Sequence, residues 1–450
     1  MNENGLHSAY LLGKIPLIHK DKHIGDISMQ KTALMLALAG LYAANANAAN
    51  PYSPAPASLI SAEEIASTKM PTAEQMWKII QQQQRELQTL RGAQQETNAK
   101  VEATAEAIDD SSLADVAGWV NDTSFGGYGE MHYNNLDDQT GNADKDEVDL
   151  HRFVLFFGHE FTDDVRFFSE FEVEHGLVKD TQAPNSENGG EVEIEQAYIE
   201  WDYAENHTAK AGVFLVPVGI LNETHEPETF YGTERNPVEK NIIPSTWWEA
   251  GIASSGEIAE GWSYDLALHS GLKNDAGKIR SGRQKASKAD ADNGAATARI
   301  KYTGIKGLEL AATVQHQTDI TQSDAADEVD ANLYEVHAAY QNGPFQLRAL
   351  YAMWDLDDAV NAANAGADEQ QGLYIEPSYK ITEKLGIFAR YNEWDNNAGD
   401  SSDTEYQQLD LGVNYWLTPT VVLKADHQDQ NAPAGEKELD GFNLGVGWSF

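Results

Sequence analysis

Cysteine is absent from this 450-residue chain, and bases are scarce. The lack of thiols excludes disulfides, thiol catalysis and cysteine-type zinc sites, and it suits a compartment in which free thiols would oxidise. The 31 lysines and arginines stand against 72 acids, for a net charge of −41, which excludes a nucleic-acid backbone as partner. Beyond residue 48 no apolar run approaches the roughly 18 residues of a spanning helix.

A bacterial-type secretory signal is predicted at residues 29–48, with the sequence MQKTALMLALAGLYAANANA. It combines a lysine, an apolar stretch and a small-x-small cleavage site at its end. Residues 1–28 precede this signal and are polar, so we interpret Met29 as the true start and residues 1–28 as a start-site artefact. Residues 49–75 are then predicted to be a linker.

Residues 76–110 are predicted to form a helix with coiled-coil character, followed by a second linker at 111–124. Apolar residues recur at heptad spacing, at Met76, Ile80, Leu87, Leu90, Val101 and Ile108. Polar residues at the remaining core positions weaken a coiled coil but can specify the number of its chains. The alternative is a solitary helical linker. In either case we expect this helix in the periplasm.

From residue 125 onward the pattern changes to strict alternation. In the closing stretch GFNLGVGWSF (441–450), large apolar residues fall on one face and small or polar residues on the other. Sixteen strands are predicted, near 125–134, 148–161, 164–175, 191–203, 208–216, 247–257, 262–272, 295–303, 308–318, 332–341, 344–355, 371–381, 384–393, 405–417, 420–428 and 440–450. Short turns follow the even-numbered strands and long loops follow the odd-numbered ones. This segregation is typical of an outer-membrane barrel.

All nine bases and most of the acids in the middle of the strands fall on the phase opposite to the apolar one. A charge facing lipid at the membrane midplane costs about 2–4 kcal/mol, so a bilayer would enforce this separation. Sixteen strands also enclose an interior too wide for wall side chains to fill. The fold class is therefore all-β, a 16-stranded antiparallel transmembrane β-barrel with an N-terminal periplasmic helix. The residues predicted to line its pore are Arg152, Arg166, Glu170, Glu172, Lys210, Arg299, Lys301, Glu309, Arg348, Lys380, Arg390, Asp410 and Lys424.

Three stretches carry a family resemblance that extends over the barrel, residues 125–450. IEQAYIEWDYAENHTAKAGVFLVPVGILNE (194–223), STWWEAGI (245–252) and FGGYGEMHYN (125–134) resemble the phosphate-selective porin O and P family. The resemblance implies a trimeric porin of a Gram-negative outer membrane whose third external loop folds inward as a constriction. The matching loop is 217–246, called L3 below. The implied constriction residues are Glu223, His225, Glu226, Glu228, Glu234, Arg235, Glu239 and Lys240.

The resemblance supports the fold more than the solute. Phosphate-specific members look to have a ladder of arginines and a lysine cluster in the channel. Here the bases are scattered and L3 is rich in acids. An N-terminal coiled coil also looks like that of some porins proposed to handle siderophores.

Two loop motifs leave alternatives open. His225, Glu226 and Glu228 offer metal-ligand chemistry, but no second histidine stands at ligand spacing, so we interpret the motif as a solvated acidic loop tip in the pore. The loop 273–293, called L4 below, is basic. It either gathers anions at the mouth, pairs with lipopolysaccharide phosphates, or is neutralised by its own aspartates.

Function follows from the barrel. We expect an outer-membrane porin for passive diffusion of small hydrophilic or charged solutes. The alternatives are a siderophore- or anion-specific channel, or a non-conducting receptor or adhesion barrel. Motifs of hydrolases and zinc proteases are missing from the sequence, so we expect no enzyme, catalytic residue, metal centre or cofactor, apart from divalent cations bound to external acidic loops. Expected partners are outer-membrane lipid, lipopolysaccharide, small solutes and two further copies of the chain.

Overall fold

Sixteen strands close into one antiparallel barrel in the computed structural model, which describes residues 73–109, 118–176, 190–274, 277–323, 328–357 and 366–450. The strands are β1 Thr123–Asp138, β2 Lys145–Glu160, β3 Val165–Glu174, β4 Val192–Ala204, β5 His207–Leu215, β6 Trp248–Ala259, β7 Trp262–His269, β8 Ala295–Tyr302, β9 Leu308–Gln317, β10 Ala331–Asn342, β11 Phe345–Leu356, β12 Glu369–Lys380, β13 Leu385–Asp395, β14 Tyr406–Thr418, β15 Val421–Asn431 and β16 Leu439–Ser449. The predicted fold class is confirmed, and every predicted strand overlaps an observed one.

The C-terminal strand seals the cylinder. Tyr128 of β1 lies opposite Ser449 of β16. The terminal Phe450 completes the seam, since its backbone exchanges two hydrogen bonds with Gly127, at 2.9 and 3.1 Å. Closure leaves no strand edge whose backbone groups would lie unpaired in lipid. The alternating segment at the end of the chain therefore closes the barrel wall.

Alternation separates the two faces of the wall. On β14, Leu409 and Leu411 are 41% and 50% exposed, whereas Asp410 between them is 1% exposed. Aromatic side chains such as Trp201 and Trp262 are exposed near the short turns, where a barrel carries its interfacial girdle. All nine bases predicted to face the lumen are buried or half-buried. Apolar side chains cover the outer face of the wall, and the charged groups lie on its inner face.

A 37-residue helix, α1 Ala73–Asp109, overlaps the segment predicted as helical (76–110), whose last residue lies outside the described residues. Trp77, Leu87 and Leu90 are more than half exposed on it. A coiled coil would cover such residues with a second helix, so the coiled coil and its periplasmic position stay predictions. Within the described ranges, no helix combines the length and apolar character needed to cross a membrane. The segments predicted as start-site artefact (1–28) and signal (29–48), and the linker up to residue 72, lie outside the described residues.

Candidate functional site in the barrel interior

L3 runs through the inside of the barrel. Side chains from widely separated strands donate hydrogen bonds to its backbone carbonyls: Arg152 of β2 to His225 (2.6 Å), Arg348 of β11 to Thr229 (2.8 Å), Trp354 of β11 to Ile242 (2.8 Å) and Asn414 of β14 to Phe230 (3.0 Å). Asp426 of β15 also accepts a hydrogen bond from the backbone N–H of Thr233, at 2.7 Å. One loop can contact strands on both sides of a closed cylinder only from within.

Arginines predicted to line the pore hold this loop. Besides Arg152 and Arg348, Arg390 donates to the L3 carbonyls of Tyr231 and Glu234, at 3.3 Å each. The guanidinium of Arg390 is fully buried and is compensated by Asp410 at 3.0 Å and by Glu376 at 3.3 Å. Buried charges need such partners, because an unpaired one would cost several kcal/mol. These arginines therefore anchor L3 to the wall.

The other predicted pore-lining residues are mostly engaged in pairs on the wall. Five residues lie beside a group of opposite charge or a histidine: Arg166 beside Glu200 and Asp202, Lys210 3.7 Å from Glu200, Arg299 2.5 Å from Glu223 of L3 and 2.9 Å from Asp265, Lys301 3.6 Å from Asp265, and Glu309 3.4 Å from His337. Two lysines instead lie over aromatic rings, Lys380 over Trp416 at 4.5 Å and Lys424 over Phe230 at 3.5 Å. Opposite charges at these distances largely cancel. The charge count along the strands therefore overstates the field that a solute would meet.

One side of the interior is dry. Within L3, the short helix α2 Val238–Asn241 and the residues after it bring Ile242 and Ile243 against Leu350 and Trp354 of β11. The cluster contains Val216, Val218, Val238, Ile242, Ile243, Trp247, Leu272, Ile279, Ile320, Val329, Ala331, Leu333, Leu350, Ala352, Trp354, Leu356, Ala367, Tyr374 and Trp394. Burying a large apolar side chain contributes about 1.5–3 kcal/mol. The hydrophobic effect thus fixes L3 against β10–β13.

The opposite side of the interior holds a cavity of about 620 Å³. Strands β1–β4 supply acids and histidines to it, among them Glu130, His132, Asp149, His151, Glu172, Glu174 and Glu195. L3 and L4 supply bases, namely Arg235, Lys240, Arg280, Arg283 and Lys285. Of the implied constriction residues, Glu234, Arg235 and Lys240 line this cavity. A solute entering it would pass between an acidic wall and a basic rim.

Glu239, also implied to belong to the constriction, organises L3 itself. Its carboxylate is wholly buried and accepts hydrogen bonds from the backbone N–H groups of Ile220 and Leu221, both at 2.6 Å. Tyr374 of β12 donates to the second oxygen at 2.9 Å. The turn needs Gly219, whose φ of +70° is left-handed and whose added Cβ would lie 2.5 Å from the Glu239 carboxylate. Glu239 therefore shapes the loop from the side away from the cavity.

L4 packs on L3. Arg280 and Arg283 donate to the backbone carbonyls of Ser245 and Thr246, at 2.5 and 2.6 Å. The interpretation of a neutralised loop holds for Lys273, which pairs with Asp290 at 2.5 Å. The packing of the two arginines was not among the alternatives that the sequence suggested. A loop of this length offers no local signal for the surface that it will contact.

The interpretation of residues 224–228 as a solvated loop tip is wrong. His225 is 1% exposed and Glu226 is 8% exposed. Burial opposes protonation of His225, but the neighbouring Glu170 and Glu195 raise its pKa to about 9. Burial raises the pKa of Glu226 to about 7. This acidic tip is packed against the wall of β1–β4.

Two β-bulges bring further residues inward that the sequence reasoning missed. Between Glu130 and His132 the register of β1 and β2 shifts, and between Glu170 and Phe171 that of β3 and β4 shifts. An extra residue re-aims the side chains that follow it. As a result Glu195 and Gln196 are both buried although they are consecutive. His151 likewise faces the cavity, with its ring stacked on that of His132 at 4.4 Å.

Comparisons with known proteins point to one family. A sequence model described as Gram-negative porin matches residues 103–434. An uncharacterized protein of Aquifex aeolicus (strain VF5) is 30% identical over 358 residues, which cover 73% of this chain and 80% of that protein.

Solved structures share the fold at low identity. OmpF of Salmonella typhi in complex with daunomycin has a TM-score of 0.52 at 15% identity, over 73% of this chain and 97% of that chain. The outer membrane channel DcaP of Acinetobacter baumannii has a TM-score of 0.51 at 14% identity, with the same coverage. An anion-selective porin from Comamonas acidovorans has 0.51 at 12%, over 73% of this chain and 99% of that chain. At these identities the likeness concerns the fold alone.

Proposed function

The chain belongs to the Gram-negative porin family and is an outer-membrane channel, and we propose that small hydrophilic solutes diffuse passively through its charged cavity. The observation that carries the proposal is the cavity of about 620 Å³ inside a closed barrel. It is lined by eight carboxylates (Glu130, Glu147, Asp149, Glu172, Glu174, Glu191, Glu195 and Glu234) and by seven bases (Lys145, Arg152, Arg235, Lys240, Arg280, Arg283 and Lys285). Because the signs nearly balance, weak ion selectivity is expected.

L3 acts as the constriction in this proposal. Its inward course and its hydrogen bonds to β2, β11 and β14 support that role. The inward position of L3 also argues against a receptor or adhesion barrel, in which this loop would project outward from the barrel as a binding surface. L3 does not need to move in order to narrow the channel, because hydrophobic packing and buried arginines already hold the loop inside the barrel.

Phosphate selectivity of the porin O and P kind is not part of the proposal. A phosphate path needs bases that are not neutralised, whereas Arg166 and Arg390 each contact two carboxylates. A siderophore-specific channel remains the alternative solute class, and uptake of labelled ferric siderophore by a deletion strain would distinguish it. The homotrimer, contacts with lipopolysaccharide and cation binding by the external loops are proposed from the family resemblance and the acidity of those loops.

Planar-bilayer recording tests the function. The purified protein should give stepwise single-channel conductance in potassium chloride, with a reversal potential close to zero in a salt gradient. Liposome swelling with uncharged sugars of increasing size would then measure the cut-off. A folded, heat-modifiable barrel that conducts neither ions nor sugars would overturn the proposal.

A further inference from the structure

Three side chains from separate elements converge in the buried interior beside the cavity. His225 comes from the tip of L3, Glu170 from β3 and Glu195 from the bulge of β4, and each is at most 2% exposed. The Nε2 atom of His225 lies 3.5 Å from Glu170 Oε1 and 3.6 Å from Glu195 Oε2. One nitrogen and two carboxylate oxygens thus lie within 4.8 Å of one another.

These separations are too long for good hydrogen bonds, which bring N and O to about 2.7–3.2 Å. Among the described residues, His225 Nε2 and Glu195 Oε2 have no hydrogen-bond partner. Ligand atoms at about 2.0–2.1 Å from a tetrahedral zinc ion stand roughly 3.4 Å apart. The spacing therefore fits donor atoms around a common ion better than it fits direct hydrogen bonds.

Neighbouring groups orient two of the three donors, His225 and Glu170, as they would in a metal site. The Nδ1 atom of His225 lies 3.2 Å from the carbonyl of Asn222. With Nδ1 donating to that carbonyl, Nε2 is the atom that faces the two carboxylates, and a metal ion binding there displaces the Nε2 proton. On Glu170, Oε2 accepts from Gln196 at 2.6 Å and Oε1 accepts from the hydroxyl of Tyr128 at 3.3 Å.

Charge gives a separate reason to expect a cation. Glu172 and Glu226 are also buried next to the three side chains. The nearby guanidinium of Arg152 is engaged with Glu130 and with the His225 carbonyl. Buried carboxylates this close together are costly unless they take up protons or a further cation joins them, and a metal ion at the three donor atoms would supply that charge.

We propose that His225, Glu170 and Glu195 bind one divalent transition-metal ion of the zinc class, which fastens the tip of L3 to β3 and β4. Imidazole nitrogen with carboxylate oxygen suits such ions, and three protein ligands leave an open position for water. Calcium and magnesium fit less well, because they take six or more oxygen ligands. Glu195 lines the cavity, so the ion reaches the site from the lumen. The site is independent of what the channel conducts.

Metal binding to the intact, untagged protein tests this inference. After treatment with a chelator and dialysis, the barrel is titrated with Zn²⁺, and bound metal is measured by elemental analysis. Co²⁺ serves as a second probe, since its visible absorption reports a low-coordinate N/O site. About one tightly held ion per chain is expected. His225→Gln and Glu195→Gln should each weaken binding at least tenfold, in line with the loss of one ligand.

Two histidine variants serve as controls. His427 is exposed on the outer face of β15, so His427→Gln should bind as the wild type does. His151 belongs to another possible ligand group, with Asp149 and His175, and His151→Gln should also leave the tight ion in place. Wild-type protein without a tight ion, His225→Gln with unchanged binding, or loss of the ion only in His151→Gln would each overturn the assignment. Should His225→Gln fail to fold, the near-isosteric Glu195→Gln decides.

Discussion

The two sides of the barrel interior hold L3 by different physical means. Against β10–β13 the loop is packed through a dry cluster in which Trp247, Ile242 and Trp354 are fully buried. Towards β1–β4 it faces a cavity bordered by acids, histidines and arginines. The first side resembles the core of a soluble protein, and the second resembles an open polar cleft.

This difference suggests two roles: the hydrophobic side holds L3 in position, and the charged side sets the ion selectivity of the channel. Hydrophobic burial is non-directional and is not screened by salt as a charge is, so it suits the task of keeping a long loop in place. Charges at the rim of a water-filled cavity act on passing ions and are screened by salt. Variants on the dry side should therefore change stability most, and variants on the charged side should also change what the channel selects.

Trp247→Ala should have the largest effect, because it breaks the dry side. The indole is 0% exposed and donates to Glu249 at 3.0 Å. Removing a buried tryptophan costs about 3–5 kcal/mol, and denaturant unfolding in detergent micelles should show this loss. Trp201→Ala, on the outer face, is the matched control and should cost much less. Equal stability of the two variants would argue that L3 is not held by this packing.

The double variant Arg280→Gln/Arg283→Gln should act chiefly on the charged side. It removes two bases from the cavity rim, together with their hydrogen bonds to three L3 carbonyls, those of Lys240, Ser245 and Thr246. We expect the reversal potential in a salt gradient to move towards cation selectivity. The control, Lys306→Gln/Lys384→Gln, removes the same charge from exposed positions in the short turns. If both variants shift selectivity equally, net charge and not the rim sets it.

The barrel could be predicted because its signals are local. Strand alternation, turn length and the phase of charges such as Arg348 and Arg390 are read within a few residues, and lipid makes each of them obligatory. The side of the wall on which these arginines lie was therefore predictable. Their hydrogen bonds to L3 were not, because those depend on where a 30-residue loop comes to rest.

The site was missed where long-range packing overrides local character. Glu195 and Gln196 are adjacent polar residues within a strand, and this break in the apolar–polar alternation is the local sequence signal of the bulge that buries both. The sequence does not say that His225 will meet Glu195 from across the barrel. Residues 224–228 look solvated because they are acidic, yet the fold buries His225 and Glu226.

Glu234→Gln should have a smaller effect, and one that depends on pH. Burial would raise the pKa of the Glu234 carboxyl, but His132 at 3.3 Å and the more distant Lys145 outweigh it and hold the pKa well below its ordinary value. A lowered pKa in the folded state adds stability above the unfolded value of about 4.5, and this stability is lost as the pH falls through the folded value.

The stability of wild type and Glu234→Gln should therefore differ most at neutral pH and converge only as the pH falls through the lowered pKa of Glu234, well below 4.5. Thermal unfolding at several pH values measures the gap. Glu147→Gln is the matched control, since Glu147 is half exposed and pairs with Lys145 alone at 3.2 Å. A gap that widens on acidification would contradict the assigned ionic role of Glu234.

Lys273→Gln should have the smallest effect, and it sharpens the comparison within a single loop. Lys273 and Asp290 form an exposed pair, and such pairs contribute about 0–1 kcal/mol that salt screens further. Arg283 carries the same charge in the same loop but lies against L3 and the cavity. Reversal potentials of Lys273→Gln and Arg283→Gln should therefore differ at low salt, with Lys273→Gln close to wild type. If Lys273→Gln shifts selectivity as much as Arg283→Gln does, the loop acts through its overall charge at the mouth, and the distinction between a packed rim and a solvated surface loses its support.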